Sequence, residues 1–245
     1  RKIPEIMKKA SDLKIKIFAD GADKAGMIEM YRNPIVKGFT TNPTLMRKSG
    51  VTDYETFSRE ILKAIPDRPI SFEVFSDEFN EMEEQAKIIA AWGSNVYVKI
   101  PIMNTRQEPS YPLIHKLSHA GIKINVTAML PLGQVVSVAK AVKGGAPCYV
   151  SIFAGRIADT GRDPVPLMTE ALRLLRIAPN AELLWASPRE LLNIFQADKI
   201  GCHIITATND IIKKLSAVGK DLTVFSLETV KMFRNDALAA GYKIH

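Results

Sequence analysis

NVYVKIP, residues 95–101, alternates as a β-strand does and carries one lysine near its end. Because side chains along a strand point alternately to opposite faces, its valines and isoleucine share one apolar face. Lys99 lies on the other face with Asn95 and Tyr97. A charged ammonium in an apolar interior is costly unless it is paired or neutral. Lys99 is therefore either a surface residue or a chemically useful amine.

Seven other short runs resemble this strand and recur about every 27 residues, separated by segments of helical periodicity. The eight runs are KIFAD (16–20), GFTTN (38–42), ISFEVF (70–75), NVYVKIP (95–101), IKINVTAM (122–129), CYVSIFA (148–154), AELLWAS (181–187) and CHIITAT (202–208). The clearest helical segments are residues 80–93, 111–121, 132–145 and 165–179. Strict alternation in eight similar units predicts an α/β fold, a single (β/α)₈ TIM barrel, rather than a doubly wound sheet.

No linker or low-complexity stretch divides the chain, so we predict one barrel domain over residues 1–245. Residues 1–14 are expected to be an N-terminal extension or helix. Residues 223–245, which contain FSLETVKMFRNDALAAGY, predict a C-terminal helix beyond the eighth unit. Such a helix suits capping of the barrel or contact with another subunit, so we expect a homo-oligomer.

Composition excludes several classes of function. The chain has 245 residues, of which 47% are hydrophobic and 24% charged, as in an ordinary globular protein. It has no apolar run of about 20 residues and no signal-peptide core, so we expect a cytoplasmic protein without a membrane partner. The net charge of +7 is spread along the chain, which fits a small anionic substrate better than nucleic acid.

We expect neither a metal nor a cofactor. Cys148 and Cys202 lie in strand-like runs without metal or redox spacing, which indicates buried free thiols. His115 and His119 are spaced to share a helix face but have no acidic or cysteine partner at ligand spacing.

Polar residues occur late in nearly every predicted strand, mostly as pairs two positions apart, which share a face. The polar residues are Asp20 in the first run, then Thr40 and Asn42, Ser71 and Glu73, Asn125 and Thr127, Ser151, Ser187, and Thr206 and Thr208. Phe153 is predicted to share the face of Ser151, and Trp185 that of Ser187. The carboxyl ends of barrel strands converge on the face that holds the active site. The alternative is that each residue only caps a strand or a helix. The set together predicts a single pocket around Lys99.

A lysine in such a pocket indicates imine chemistry, because its neutral amine attacks a ketone and the protonated imine then accepts electrons. We therefore expect Lys99 to be buried near cations rather than tightly paired with a carboxylate. Asp20 and Glu73 are the available acid and base groups. Three loop carboxylates, better explained as helix caps or surface partners, are Asp23, Asp159 and Asp163.

Arg156 and Arg189 follow the sixth and seventh predicted strands. Barrel enzymes often bind phosphate near this position, and guanidinium groups hold phosphate or sulfonate oxygens in pairs. The alternative for each is a surface salt bridge. Their neighbouring positions favour an anion site.

Five segments, in order and in register with the predicted strands, resemble the transaldolase family of class I aldolases, which includes the fructose 6-phosphate aldolases. They are GFTTNPTL (38–45), VKIP (98–101), NVTAM (125–129), SIFAGRIADTG (151–161) and ASPRE (186–190). The resemblance covers roughly residues 16–210. It implies carbohydrate metabolism of the pentose phosphate pathway kind, with a Schiff-base lysine on strand four, here Lys99.

The resemblance also implies roles for the other residues. Asp20 matches the acid/base group at the C4 hydroxyl, and Glu73 and Thr127 match the pair that activates a catalytic water. The residues that match the binding groups for the dihydroxyacetone unit are Asn42, Asn125 and Ser151, supported by Thr40. The residues that match the phosphate set are Arg156, Ser187 and Arg189.

The resemblance leaves two activities open. Glu73 and Phe153 look like the transferases, whereas aldolases that release free dihydroxyacetone typically carry Gln and Tyr at these positions. We therefore predict a transaldolase-type transferase, with the aldolase as the alternative. The sequence departs from the family pattern after KIP (IMNTRQEPSYP), after NVTA (MLPLGQ) and at Trp185, predicted to lie beside the anion site. A modified, longer or sulfonated ketose is therefore also considered.

Overall fold

The computed structural model describes residues 9–244 and contains one closed sheet. Its eight strands are β1 (Lys16–Asp20), β2 (Val36–Thr40), β3 (Ile70–Glu73), β4 (Val96–Pro101), β5 (Ile124–Met129), β6 (Cys148–Ile152), β7 (Ala181–Trp185) and β8 (Ile204–Thr208). They are parallel and follow the chain order, and β8 closes on β1. The predicted eight-stranded barrel is confirmed.

Helices follow the strands. They are α1 (Lys24–Tyr31), α2 (Pro43–Lys48), α3 (Tyr54–Ala64), α4 (Phe79–Ala90), α5 (Tyr111–His119), α6 (Leu132–Val142), α7 (Ala154–Ala158), α8 (Pro164–Leu175), α9 (Leu192–Lys199), α10 (Asn209–Lys213) and α11 (Leu222–Ala239). The four helical segments predicted most clearly are confirmed as α4, α5, α6 and α8. None of the helices in residues 9–244 has the length and hydropathy that crossing a membrane requires.

Two compact units are distinguished. Residues 14–213 contain the barrel strands and α1 to α10. The second unit, of which residues 9–13 and 214–244 are described, contains two short 3₁₀ turns and α11. The predicted C-terminal helix is thus present. The predicted extension at residues 1–14 lies largely outside the described residues, and a single domain and a homo-oligomer stay predictions.

Short side chains that accept hydrogen bonds start several helices. Asp23 accepts the Gly26 amide at the start of α1, and Asp163 accepts the Val165 amide at the start of α8. Asp53 accepts the Thr56 amide and so caps α3. Such N-caps satisfy backbone N–H groups that lack partners within the helix. The interpretation of Asp23 and Asp163 as helix caps is confirmed.

The outer face of the sheet packs beneath the helices, as the alternation in β4 predicts. The β4 residues Val98 and Ile100 are fully buried. Aromatic side chains fill the middle of the barrel, where Tyr97 stacks on Tyr149 with ring centroids 3.9 Å apart. A Cβ atom at Gly38 would lie 2.6 Å from the Phe18 ring, so this position has room for glycine alone. The interior of the barrel is therefore packed by these side chains, which leaves space for a ligand at the carboxyl ends of the strands.

Candidate active site

A cavity of about 580 Å³ opens at the carboxyl ends of the strands. Every one of the eight strands contributes at least one lining residue, either within the strand or directly after it. This volume lies within the range of small-molecule sites. The predicted site residues that line it are Asp20, Thr40, Asn42, Glu73, Lys99, Asn125, Thr127, Ser151, Phe153, Arg156, Ser187 and Arg189. The structure therefore brings these residues together, whereas Ser71 and Trp185 do not line the cavity.

Lys99 is 6% exposed and lines the cavity from β4. Its Nζ donates to the Thr41 carbonyl at 2.8 Å and lies 3.5 Å from Oε2 of Glu73. Glu73 and Lys99 are direct partners in the register of β3 and β4. The prediction was that Lys99 is not tightly paired with a carboxylate. The Thr41 carbonyl is indeed the nearer partner, but this register also places Glu73 beside Lys99 on the inner face, at ion-pair distance.

Asp20 ends β1, is half-buried and lines the cavity. Its Oδ1 accepts a hydrogen bond from Thr40 Oγ1 at 2.7 Å. Burial raises the pKa of Asp20, while the charge of Lys99 and the hydrogen bond from Thr40 act in the opposite direction. A carboxyl group with a raised pKa can hold or release a proton closer to neutral pH than an exposed one.

Replacing Asp20 by asparagine is expected to stabilise the protein increasingly as the pH rises. Because the pKa of Asp20 is raised in the folded state, folded wild type holds the proton more tightly than unfolded wild type, and its stability falls as the pH rises above the ordinary value of 3.8. The asparagine side chain does not titrate, so the variant has no such loss. Melting temperatures from about pH 5 to pH 8 should show a difference, variant minus wild type, that grows with pH.

Asp53→Asn is the control for this measurement. The amide and hydroxyl of Thr56 lower the pKa of Asp53, so its titration lies below 3.8. Its difference from wild type should be constant from about pH 5 to pH 8. A difference for Asp20→Asn that is equally constant would contradict the raised pKa.

Glu73 is the second carboxylate of the pocket. Burial raises its pKa, the charge and hydrogen bond of Lys99 lower it, and the like charge of Asp20 raises it further. Thr127, which lines the same cavity, has a buried Oγ1 without a hydrogen-bond partner within residues 9–244. A buried hydroxyl without a partner indicates a place for a water molecule or a substrate hydroxyl. Glu73 and Thr127 are thus available to the same ligand.

Asn125 and Ser151 form a connected polar floor. Ser151 Oγ donates to Asn125 Oδ1 at 2.6 Å, and Asn125 Nδ2 donates to Ser71 Oγ at 3.1 Å. These contacts fix the orientation of the Asn125 amide. Asn42 follows β2 rather than ending it, and its Oδ1 caps α2 by accepting the Leu45 amide at 2.9 Å. Its amide nitrogen is the group left for a ligand.

The two predicted arginines have different surroundings. Arg189 donates to Asp159 through Nε and Nη2, at 3.1 Å and 2.5 Å. Asp159 is therefore a surface ion-pair partner, one of the two alternatives considered for it. Arg156 is exposed, and the structure records no hydrogen bond or ion pair for it with the described residues. Arg156, Ser187 and Arg189 line one edge of the cavity, after β6 and β7. Of the two arginines on this edge, Arg156 is the one available to bind an anion.

Gly155 allows the start of α7 to pack closely against the segment that follows β7. A Cβ atom there would lie 1.4 Å from the Ser187 carbonyl oxygen, so a larger residue is excluded. Ser187 itself has a left-handed φ of 59°. Ala128, which also lines the cavity, has a φ of 62° beside a register shift in β5. Left-handed non-glycine residues often occur at functional sites.

Trp185 lies outside the pocket, contrary to the prediction. It is 1% exposed and does not line the cavity, whereas its neighbours Leu184 and Ala186 do. The prediction that Trp185 shares the face of Ser187 is wrong, because β7 ends at Trp185 and the left-handed φ at Ser187 breaks the strand alternation. The indole packs on the side of the strand away from the pocket.

Several lining groups had no predicted role. They are Lys48, Leu184, Ala186, Thr206 and Thr208. The Thr41 carbonyl, which accepts from Lys99 Nζ, had no predicted role either. The alternation in β8 predicted that Thr206 and Thr208 point into the barrel. Lys48 lies on α2, and no sequence pattern predicted that it lines the cavity. Within residues 9–244 no group of three or more histidine, cysteine or acidic side chains is arranged to hold a metal ion.

The closed barrel, with a buried lysine and two carboxylates lining a cavity at the carboxyl ends of its strands, has the arrangement of a (β/α)₈ enzyme. The family described as transaldolase/fructose-6-phosphate aldolase matches residues 17–243, and the chain belongs to this family.

Individual proteins agree with this membership. The chain is 36% identical over 202 residues to "Probable transaldolase 2" of Listeria monocytogenes, which covers 82% of this chain and 88% of that protein. It is 34% identical over 203 residues to "Probable transaldolase" of Streptococcus pyogenes, which covers 82% and 90%. A solved 3-hexulose-6-phosphate synthase has a TM-score of 0.57 at 15% identity, covering 84% of this chain and 99% of that one. The solved structure shares the fold.

Proposed function

We propose that the protein transfers a dihydroxyacetone unit from a phosphorylated or otherwise anionic ketose to an aldose acceptor through a Schiff base at Lys99. The observation that carries this proposal is the buried Lys99 Nζ, 2.8 Å from the Thr41 carbonyl and 3.5 Å from Glu73 Oε2. A lysine held in a small-molecule cavity beside proton-transfer groups suits attack on a carbonyl.

The first step forms the imine. The Lys99 amine adds to the C2 carbonyl of the ketose, and the resulting carbinolamine loses its hydroxyl as water. Glu73 supplies the proton for that departure, and burial raises its pKa toward the range in which a carboxyl group exchanges protons. Thr127 Oγ1 is placed to hold the water that leaves and later returns.

The second step breaks the C3–C4 bond. Asp20 takes the proton of the C4 hydroxyl, the C4 oxygen becomes an aldehyde, and the bonding electrons move into the protonated imine to give an enamine. Thr40, Asn42, Asn125 and Ser151 supply hydrogen bonds to the hydroxyls of the retained three-carbon unit. Transfer reverses these steps with a new aldehyde, and water then hydrolyses the imine.

The anionic end of the substrate lies toward Arg156, Ser187 and Arg189 in this proposal. These residues share one edge of the cavity, and Arg156 is available for bidentate contact. Phosphate and sulfonate have similar oxygen geometry, so this edge suits either group.

The transferase is favoured over free release by Glu73 and Phe153. Phe153 lines the cavity and packs against the aromatic core of the barrel, and it brings no hydroxyl to the site. The alternative, an aldolase that releases free dihydroxyacetone, forms the same imine and enamine. It differs in that C3 of the enamine takes a proton instead of bonding to an acceptor aldehyde, and water then hydrolyses the imine.

Product analysis with and without an acceptor tests the proposal. Fructose 6-phosphate and sulfonated or longer ketoses are supplied as donors, with a four-carbon aldose phosphate as acceptor. We expect a new ketose with acceptor and slow dihydroxyacetone release without it. Fast release without acceptor would support the aldolase. No turnover and no borohydride-reducible adduct with any donor would reject imine chemistry.

Replacing Glu73 by glutamine is expected to slow imine formation and hydrolysis by about 100-fold, the size of a typical acid–base contribution. Glutamine keeps the shape of the side chain but removes its titratable group, so donor KM should change little. Pre-steady-state borohydride trapping measures imine formation. A trapping rate equal to that of wild type would remove Glu73 from this role.

A further inference from the structure

The hydrogen-bond ladder between β2 and β3 ends abruptly beside Lys99. Phe39 N–H donates to the Pro69 carbonyl at 2.8 Å, and two residues later Thr41 N–H donates to the Ser71 carbonyl at 3.2 Å. In a regular parallel ladder the next bond would join Glu73 N–H to the Thr41 carbonyl. That bond is replaced, so the two strands separate at the level of the pocket.

The hydroxyl of Tyr54, from the first turn of α3, occupies the gap. It accepts the Glu73 N–H at 2.8 Å and donates to the Glu73 carbonyl at 2.7 Å. Both backbone groups of Glu73 on that side are thereby satisfied by one side chain. Burial raises the pKa of Tyr54, so the hydroxyl keeps its proton and can donate while it accepts.

The Thr41 carbonyl is consequently free of the ladder. It accepts the hydrogen bond from Lys99 Nζ at 2.8 Å instead. Glu73 remains fixed on its other side by the register with Lys99 and by the bond from Val74 N–H to the Lys99 carbonyl at 3.2 Å. The Tyr54 hydroxyl thus sets the position of both members of the Lys99–Glu73 pair.

We propose that Tyr54 is a positioning residue for imine formation: its hydroxyl replaces Thr41 as the backbone partner of Glu73 and so leaves the Thr41 carbonyl to hold Lys99. This inference rests on the proposed function. Tyr54 does not line the cavity, so it acts through Thr41 and Glu73 and contacts no substrate.

The surroundings of Tyr54 keep the hydroxyl in place. Its ring meets Phe75 edge-on at 5.5 Å and lies 6.0 Å from the Trp92 ring. The Asp53 carboxylate caps the helix turn that carries Tyr54 through the amide and hydroxyl of Thr56. A side chain held at both its ring and its helix start loses little further freedom when it forms the two hydrogen bonds.

Tyr54→Phe tests this role, because it retains the ring contacts and removes the hydroxyl. At saturating ketose we expect the rate of borohydride-trapped imine formation to fall at least about tenfold while half-saturation changes less than about twofold. A crystal structure of the variant should show the Glu73 N–H bonded to the Thr41 carbonyl. Tyr31→Phe is the matched control, since it removes another tyrosine hydroxyl, bonded to Asp67 at 2.8 Å on the exposed surface, and should leave the rate unchanged.

The outcomes separate this inference from the proposed function. No trapped adduct in wild type rejects the proposed function. A wild-type adduct with an equal trapping rate in Tyr54→Phe overturns the positioning role, as does a uniform loss in melting temperature and half-saturation without a slower rate. If Tyr54→Phe does not fold, Asp53→Ala loosens the same helix start, and an unchanged trapping rate in that variant overturns the inference.

Discussion

Replacing Lys99 by methionine is expected to lower kcat/KM by roughly 10⁴-fold or more, the scale seen when a covalent nucleophile is removed. Methionine retains the buried stem but cannot form an imine. With ketose and borohydride, wild type should gain the mass of one reduced ketose adduct, and Lys99→Met should gain none. Intact-mass measurement after reduction checks both expectations.

Lys48→Met is the matched control, because Lys48 also lines the cavity but is exposed. Its adduct should be retained in full. If Lys99→Met retained the adduct and Lys48→Met lost it, the imine would form at Lys48, and our assignment to Lys99 would be wrong. Equal melting temperatures of the two variants are needed for the comparison.

The barrel was predictable because its strands carry strong local signals. NVYVKIP alternates cleanly, and the observed β4 starts one residue later, at Val96. The inward direction of Lys99 follows from the same period of two. The β2 strand was displaced in the prediction: it starts at Val36 rather than Gly38 and ends at Thr40. β2 ends where the chain turns into α2 at Asn42, and the alternating pattern of apolar residues does not predict this turn.

Other parts of the site depend on contacts that alternation does not contain. The direction of Trp185 was wrong because one left-handed residue, Ser187, interrupts the pattern. The contact between Tyr54, on α3, and Glu73, at the end of β3, joins residues 19 positions apart. No sequence motif predicts a contact of this kind. The raised pKa values of Asp20 and Glu73 depend on burial and on neighbouring charges, which are properties of the assembled pocket.

Replacing Arg156 by glutamine is expected to raise KM for an anionic ketose about 100-fold, since a charge-assisted bidentate contact contributes roughly 2–3 kcal/mol. The chemical step should change less, because the anion lies away from the C3–C4 bond and is bound in both ground and transition states. An uncharged ketose should bind wild type and variant equally well. Initial rates over a range of each ketose measure this difference.

Arg162→Gln is the control for net charge. Arg162 is exposed nearby in the chain, donates to Thr160 Oγ1 at 2.7 Å and does not line the cavity. It should leave KM for both ketoses unchanged, because an exposed charge outside the pocket is screened by salt. Arg189→Gln should have a smaller effect than Arg156→Gln, since Arg189 already shares its charge with Asp159. An equal KM increase for charged and uncharged ketoses in Arg156→Gln would contradict an anion site, because loss of a charge contact discriminates between them and general damage to the pocket does not.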